Sequence, residues 1–198
     1  FNDEEFALGG LRRFSDMDAL AQARMKRLPD DLDALRAVVQ AAVDSGDYAQ
    51  AVSLGENILK QPKAEAEDLN DVAWYALYTG KVDDSIVNMA VRAAQMGKND
   101  TSILHTLACV YAEAGKTKEA REVLMQAMEA DNMEEPNPSF WYAFGRIADQ
   151  YGLRDTALQD YAKVTKPEHP AQIPASTYLL AQIREKALGA PGTSSNKQ

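Results

Sequence analysis

Apolar residues recur along most of this chain at the three- and four-residue spacing of an amphipathic helix. Val and Ile do not gather in the alternating apolar and polar pattern that a half-buried strand requires. The composition favours Ala, Leu, Glu, Gln, Lys, Arg and Met, which lose little side-chain freedom in a helix. The pattern therefore predicts an all-α protein.

Glycines that interrupt the helical stretches recur at a nearly constant interval. They fall at Gly46, Gly80, Gly115 and Gly152, with steps of 34, 35 and 37 residues. The same small residue returns on the helix after the glycine, for example at Ala120 and Ala157. A fixed period of this length indicates a stack of repeated helix pairs.

The fourth copy of the repeat carries the fullest motif. Its motif residues are Trp141, Gly145, Gly152, Ala157 and Tyr161, with Pro167 and Pro170 beyond the second helix. A two-helix unit of this length and pattern resembles the tetratricopeptide repeat (TPR) family. The resemblance implies a right-handed α-solenoid of antiparallel helix pairs, a TPR-like superhelix with about eleven helices.

The period also divides the chain. The four repeat copies are placed at 31–64, 65–98, 100–133 and 137–170. Residues 1–30 are predicted to form a degenerate leading helix pair, with helices over 3–12 and 16–28. Residues 171–188 are predicted to supply a helix that caps the last apolar surface. The tail 189–198 has nothing to bury, so we expect it to be disordered.

The resemblance implies that the first helix of each pair lines a concave, peptide-binding groove. The candidate groove residues are then Arg36, Gln40, Asn70, Trp74, Leu77, His105, Cys109, Tyr142 and Arg146. Aromatic, cationic and amide groups of this kind can bind apolar anchors, carboxylates and peptide backbone. Some members of the family grip a C-terminal carboxylate with Lys and Asn, but the third unit has Ser102 and Thr106 where basic residues are needed.

Several candidates also have a purely structural interpretation. Trp74 suits packing between helices as well as a groove contact, and Trp141 suits packing between repeats. His105 and Cys109 lie one helical turn apart, but a metal site needs a third ligand, and none is nearby. The sequence also lacks the motifs of nucleophilic, phosphate-binding and zinc enzymes, so no catalytic residue, metal or cofactor is predicted.

Charge and composition narrow the range of partners. A formal net charge of −9 disfavours nucleic acid and anionic membrane surfaces, and no basic patch offsets it. No stretch has the roughly 18 apolar residues of a membrane span, so the chain is predicted to be soluble. One cysteine excludes an internal disulfide, but the compartment, cytoplasm or periplasm, stays open.

The leading hypothesis is a non-catalytic scaffold that binds a partner peptide or domain in the groove. The alternative is the helical accessory domain of a larger bacterial multidomain enzyme, for example a transglutaminase-like one, with its catalytic part before this segment. The start at Phe1 rather than Met motivates this alternative. Self-association through the groove or the repeat ends is a third hypothesis. The identity of the partner is open in each case.

Overall fold

The fold comes from a computed structural model that describes residues 14–28 and 31–189. Within these ranges the chain forms ten α-helices, one 3₁₀ helix at Pro170–Gln172 and no strand. The helices are α1 Phe14–Arg27, α2 Leu32–Ser45, α3 Tyr48–Ile58, α4 Ala66–Thr79, α5 Asp84–Gly97, α6 Thr101–Glu113, α7 Thr117–Ala130, α8 Trp141–Gln150, α9 Arg154–Tyr161 and α10 Thr177–Gly189. The all-α prediction is confirmed. The predicted helix 3–12 and the tail from 190 onwards lie outside the described residues.

Each predicted repeat range encloses one helix pair, from α2 and α3 in 31–64 to α8 and α9 in 137–170. The first described helix, α1, covers Phe14–Arg27 and overlaps the predicted helix 16–28. The predicted cap contains α10, which extends through Gly189, a residue assigned to the tail by the sequence pattern. The assignment of these ranges as separate repeat units stays a prediction.

Local residues fix the turns between the helices of a pair. The four periodic glycines all have φ between 66° and 82°, a left-handed conformation that glycine adopts without steric cost. The helices that follow turns commonly begin at an acidic N-cap residue. The side chains that accept hydrogen bonds from first-turn backbone N–H groups are Asp31, Asp47, Asp83 and Asp100.

The helices stack in the order of the chain, and each packs against the next from α1 to α10. In addition, α4 packs against α6 and α6 packs against α8, so alternate helices form a continuous layer. We call α2, α4, α6 and α8 the first-helix layer. None of the described helices is both long enough and apolar enough to span a membrane.

Gly145 permits the close crossing of α8 and α9. A Cβ at this position would come within 2.7 Å of the Tyr161 ring and 3.2 Å of the Ala157 backbone oxygen. Tyr161 is only 1% exposed, so its ring has little room to move away. The small residue that the motif places here is therefore required by the packing of the two helices.

A segment without α-helix separates the last helix pair from α10. We call residues 162–176 the strap, and it contains the 3₁₀ helix. The end of the strap bonds to side chains of α3 and α4, which lie 98 to 126 residues earlier in the sequence. α10 then packs against α8 and α9, with Leu180 and Ala181 buried in the main core.

Candidate binding cavity on the first-helix layer

Aromatic side chains of α3 and α4 hold the strap in place. The bonds run from Tyr48 Oη to Pro174 O at 2.7 Å, from Trp74 Nε1 to Ala175 O at 3.0 Å and from Tyr78 Oη to Ser176 O at 3.0 Å. Tyr48 also stacks on Tyr78, with ring centroids 4.4 Å apart. Three consecutive carbonyl groups of the strap are therefore fixed on α3 and α4 by donors from rigid rings.

An open cavity of about 660 Å³ lies between the strap and the first-helix layer. Its walls come from α4, α6, the link before α8 and the strap. The residues that α4 and α6 contribute are Asn70, Asp71, Trp74, Tyr75, Ser102, His105 and Thr106. This volume falls within the range of sites that take small molecules or a few side chains of a larger ligand.

The predicted groove residues separate into three groups in the structure. Asn70, Trp74 and His105 line the cavity described above. Arg36 and Gln40 line a neighbouring cavity of about 510 Å³ between α2 and α4. The remaining four residues are buried in the protein interior, namely Leu77, Cys109, Tyr142 and Arg146. Neighbouring helices cover these four side chains and none of them lines the cavity, so they are left out of the proposed site.

Arg36 and Gln40 already have polar partners within the chain. Arg36 Nε and Nη2 lie 2.8 and 2.9 Å from the two carboxylate oxygens of Asp68, and Nη2 lies 3.4 Å from Glu65. This two-point contact is the geometry in which an Arg–carboxylate pair is strongest. Gln40 donates a hydrogen bond of 2.9 Å to Asp44. Neither residue faces the larger cavity.

Arg146 belongs to a buried cluster of charges. Its Nε donates to Glu113, and its Nη1 lies 3.1 Å from Asp149 Oδ2. The same carboxylate accepts a 3.2 Å hydrogen bond from Arg184 Nε on α10. The side chains of Arg146, Glu113 and Asp149 are only 9 to 12% exposed. The cluster therefore ties α6, α8 and α10 together rather than facing a ligand.

His105 forms a wall of the cavity as a neutral imidazole. Burial lowers its pKa to about 4, so the ring is uncharged at neutral pH. The ring stacks on Phe140 with centroids 4.5 Å apart and is tilted against Trp74 at 5.8 Å. Cys109 Sγ lies 3.6 Å from His105 Nε2, and burial raises the pKa of this thiol. Within the described ranges, no group of three His, Cys, Asp or Glu side chains could hold a metal ion.

Asp71 is a cavity residue that the sequence pattern does not single out. Its side chain is exposed on one side, but the surrounding protein raises its pKa to about 6, mainly by desolvation and further by repulsion from Asp68 and Glu67. The adjacent Asn70 side chain partly offsets this rise in the pKa of Asp71. The spacing of three residues between Asp71 and Trp74 is the signal that could have indicated their shared helix face.

Residues 101–132, which cover α6 and α7, match the family model of the tetratricopeptide repeat. This part of the chain is a tetratricopeptide repeat. A comparison with curated protein sequences gives no significant match. The resemblance to the TPR family, which the glycine period and the motif residues indicated, is thereby confirmed.

Two solved structures share the fold of this chain over most of its length. YrrB, a TPR protein with an unusual peptide-binding site, matches with a TM-score of 0.62 and 16% identity, over 92% of this chain and 88% of that chain. TTC0263, a thermophilic TPR protein in Thermus thermophilus, matches with a TM-score of 0.61 and 19% identity, over 95% of this chain and 98% of that chain. At these identities the likeness concerns the fold alone, and it confirms the predicted helical solenoid.

Proposed function

We propose that this TPR protein is a non-catalytic scaffold that holds a segment of a partner polypeptide in the cavity beside the strap. The observation that carries the proposal is the open cavity of about 660 Å³ between α4, α6 and the strap. Its lining combines aromatic rings with hydroxyl, amide and carboxylate groups, as peptide sites do. Helical repeat proteins commonly use such extended surfaces for binding.

The strap gives independent support to the proposal. The first-helix layer and α3 already hold a stretch of polypeptide main chain through Tyr48, Trp74 and Tyr78. Contacts to carbonyl groups do not depend on side-chain identity, so a surface of this kind is chemically suited to peptide backbone. A partner segment next to the strap would meet Ser102 and Thr106 on the opposite wall.

A selection from a random peptide library followed by blocking of the cavity tests this function. Ser102→Arg places a long side chain in the cavity, whereas Ser85→Arg makes the same change away from it. The two serines are matched, since both are exposed and both backbone N–H groups bond to an aspartate N-cap. Circular dichroism would check that both variants keep the helical content of the parent.

Peptides selected against the parent should bind Ser85→Arg with unchanged affinity and Ser102→Arg about tenfold or more weakly, as measured by fluorescence anisotropy. The loss is expected because the arginine side chain occupies the volume that the peptide needs. Equal affinities for the two variants would place the peptides elsewhere and overturn the proposal. A selection that yields no binding peptide would overturn it as well.

A further inference from the structure

The larger cavity has an acidic lining with no basic counterpart. Asp71 supplies a carboxylate, and none of the residues that line this cavity is a lysine or an arginine. Among the described residues, no salt bridge reaches Asp71. The nearby Arg36 is engaged by Asp68 at 2.8 Å and by Glu65 at 3.4 Å, so its charge is largely committed to those carboxylates. The cavity therefore presents a carboxylate that forms no salt bridge among the described residues, and Arg36 acts on it only at longer range.

Asn70 lies beside Asp71, and its side chain favours the ionised form of that carboxylate. The Asn70 Oδ1 atom is enclosed by the protein, so it does not itself meet a ligand in the cavity. The acceptor that the cavity offers is therefore the Asp71 carboxylate. A carboxylate favours a ligand that has N–H donors and a positive charge.

The aromatic wall of the cavity is compatible with a cation. Trp74 lines the cavity, and its indole orientation is fixed by the bond from Nε1 to Ala175 O. The face of an indole ring attracts ammonium and guanidinium groups that lie close to it. His105, on the same wall, is neutral above its lowered pKa of about 4 and so does not repel a cation.

We propose that the cavity binds a lysine or arginine side chain of the partner polypeptide, with Asp71 as its counter-charge and Trp74 as the adjoining ring. This inference rests on the proposed function and specifies the chemistry of the partner. It is the reverse of carboxylate recognition, which would need basic residues in the cavity.

Three blocked pentapeptides provide the probes for a test. Each has a central residue between two pairs of alanines, and the central residue is lysine, its uncharged analogue norleucine or glutamate. The full chain, labelled with ¹⁵N, is titrated with each peptide, and amide shifts of residues on α4 and α6 give the site and the affinity. Asp71→Asn removes the counter-charge, and Glu67→Gln makes the same change in net charge one helical turn away, outside the cavity lining.

The lysine peptide should shift amides around the cavity and bind about tenfold more tightly than the norleucine and glutamate peptides. Asp71→Asn should lower the affinity for lysine about tenfold, and Glu67→Gln should change it less than about twofold. Equal binding of lysine and norleucine peptides, or equal loss in the two variants, would overturn the inference. Absence of any shift up to about 10 mM lysine peptide would also overturn it.

Acidification gives a second readout for the same proposal. The groups that surround Asp71 are Glu67, Asp68 and Tyr75 on α4, Arg36 on α2 and the neutral His105 on α6. With a pKa of about 6, Asp71 is largely ionised at pH 7.5 and about a tenth ionised at pH 5. Affinity for the lysine peptide should therefore fall up to about tenfold over this range. The same fall in Asp71→Asn would contradict the assignment.

Failure of this inference and failure of the proposed function give different results. Peptides from the random selection that lose affinity with Ser102→Arg but not with Asp71→Asn would leave peptide binding in the cavity intact. In that case only the cationic specificity would be overturned. Selected peptides that bind both variants with the affinity of the parent would overturn the proposed function itself.

Discussion

Arg146 and Lys118 both pair with carboxylates, but their exposure differs greatly. The Arg146 side chain is 9% exposed and the Lys118 side chain is 83% exposed. Removal of one partner from a buried ion pair leaves the other charge uncompensated and costs about 3 to 5 kcal/mol. An exposed pair such as that of Lys118 with Glu122 contributes about 0 to 1 kcal/mol.

Arg146→Met should therefore lower the free energy of unfolding by about 3 to 5 kcal/mol. Glu113 and Asp149 lose their shared cation in this variant. Lys118→Met, which removes the same charge from the surface, should change the free energy of unfolding by less than about 1 kcal/mol. Urea unfolding followed by circular dichroism measures both. Similar losses in the two variants would show that the buried cluster stabilises the fold no more than an exposed ion pair does.

His105 and Asp71 have opposite effects on the pH dependence of stability. The pKa of His105 is lowered from 6.5 to about 4, so between these values the unfolded chain binds a proton that the folded chain does not, and stability falls as the pH falls. The pKa of Asp71 is raised from 3.8 to about 6, so the folded chain holds the extra proton, and its contribution to stability rises as the pH falls through this window.

Asp71→Asn should remove the contribution of Asp71 protonation, which stabilises the folded chain as the pH falls. Between pH 7 and pH 5 the variant should lose more free energy of unfolding than the parent. The difference is at most about 1.4 kcal/mol per pH unit. It should fall below this limit because Asp71 is partly exposed and solvent screens its charge. Asp155→Asn, at a carboxylate whose side chain is 92% exposed, is the control. Urea unfolding at the two pH values gives the difference, and an equal or smaller loss in Asp71→Asn would refute the assignment.

At the scale of elements, the helices and turns could be predicted because their signals are local. The glycine period, the helical apolar spacing and the acidic N-caps each act within a few residues of the backbone that they shape. Gly80, for example, has φ of 66°, and Asp83 caps the helix that follows. The number and order of the described helix pairs follow from such signals.

The strap and the final site could not be predicted in this way. The bond between Tyr48 and Pro174 joins residues 126 positions apart, and nothing near either residue indicates the other. The rotation of each first helix also depends on its neighbours, so equivalent positions differ in exposure. Trp74 lines the cavity, whereas Cys109 on the next first helix is fully buried. Asn70 and His105 also line the cavity, and their role in binding stays a prediction.

The strap should loosen when one of its donors is removed. Tyr48→Phe leaves the Pro174 carbonyl without its 2.7 Å donor, and a hydrogen bond of this kind contributes about 0.5 to 1.5 kcal/mol. Amide hydrogen exchange of Gln172, Ile173 and Ser176, whose N–H groups are bonded within the strap, should become roughly two- to twelvefold faster. Tyr151→Phe, at a tyrosine that is 63% exposed, should leave these rates unchanged. Unaltered exchange in Tyr48→Phe would exclude the bond as a restraint on the strap.

At the scale of the molecule, the strap changes the connectivity of the solenoid. In an open stack each repeat contacts only its neighbours, so the two ends can unfold separately. Here the strap connects the segment before α10 with α3 and α4. The early and late helices therefore share contacts, which favours a single unfolding transition.

Trp141→Phe allows this coupling to be measured, because Trp74 then remains the one tryptophan of the chain. Its fluorescence reports on α4 and the strap, and circular dichroism reports on all helices. The two urea midpoints should coincide in Trp141→Phe. They should separate when Tyr48→Phe and Tyr78→Phe are added, since two of the three strap bonds are then lost. Coincident midpoints in the triple variant would contradict a coupling role for the strap.

The buried thiol of Cys109 has a practical consequence for site-directed labelling. Cys109 is the one cysteine of the chain, it is fully buried, and its pKa is raised by burial. Maleimides and other thiol reagents react with an accessible thiolate, so the folded protein should leave Cys109 unmodified. A new cysteine at an exposed position such as Ser85 would then accept a dye or spin label in the otherwise natural sequence, without prior replacement of the native residue.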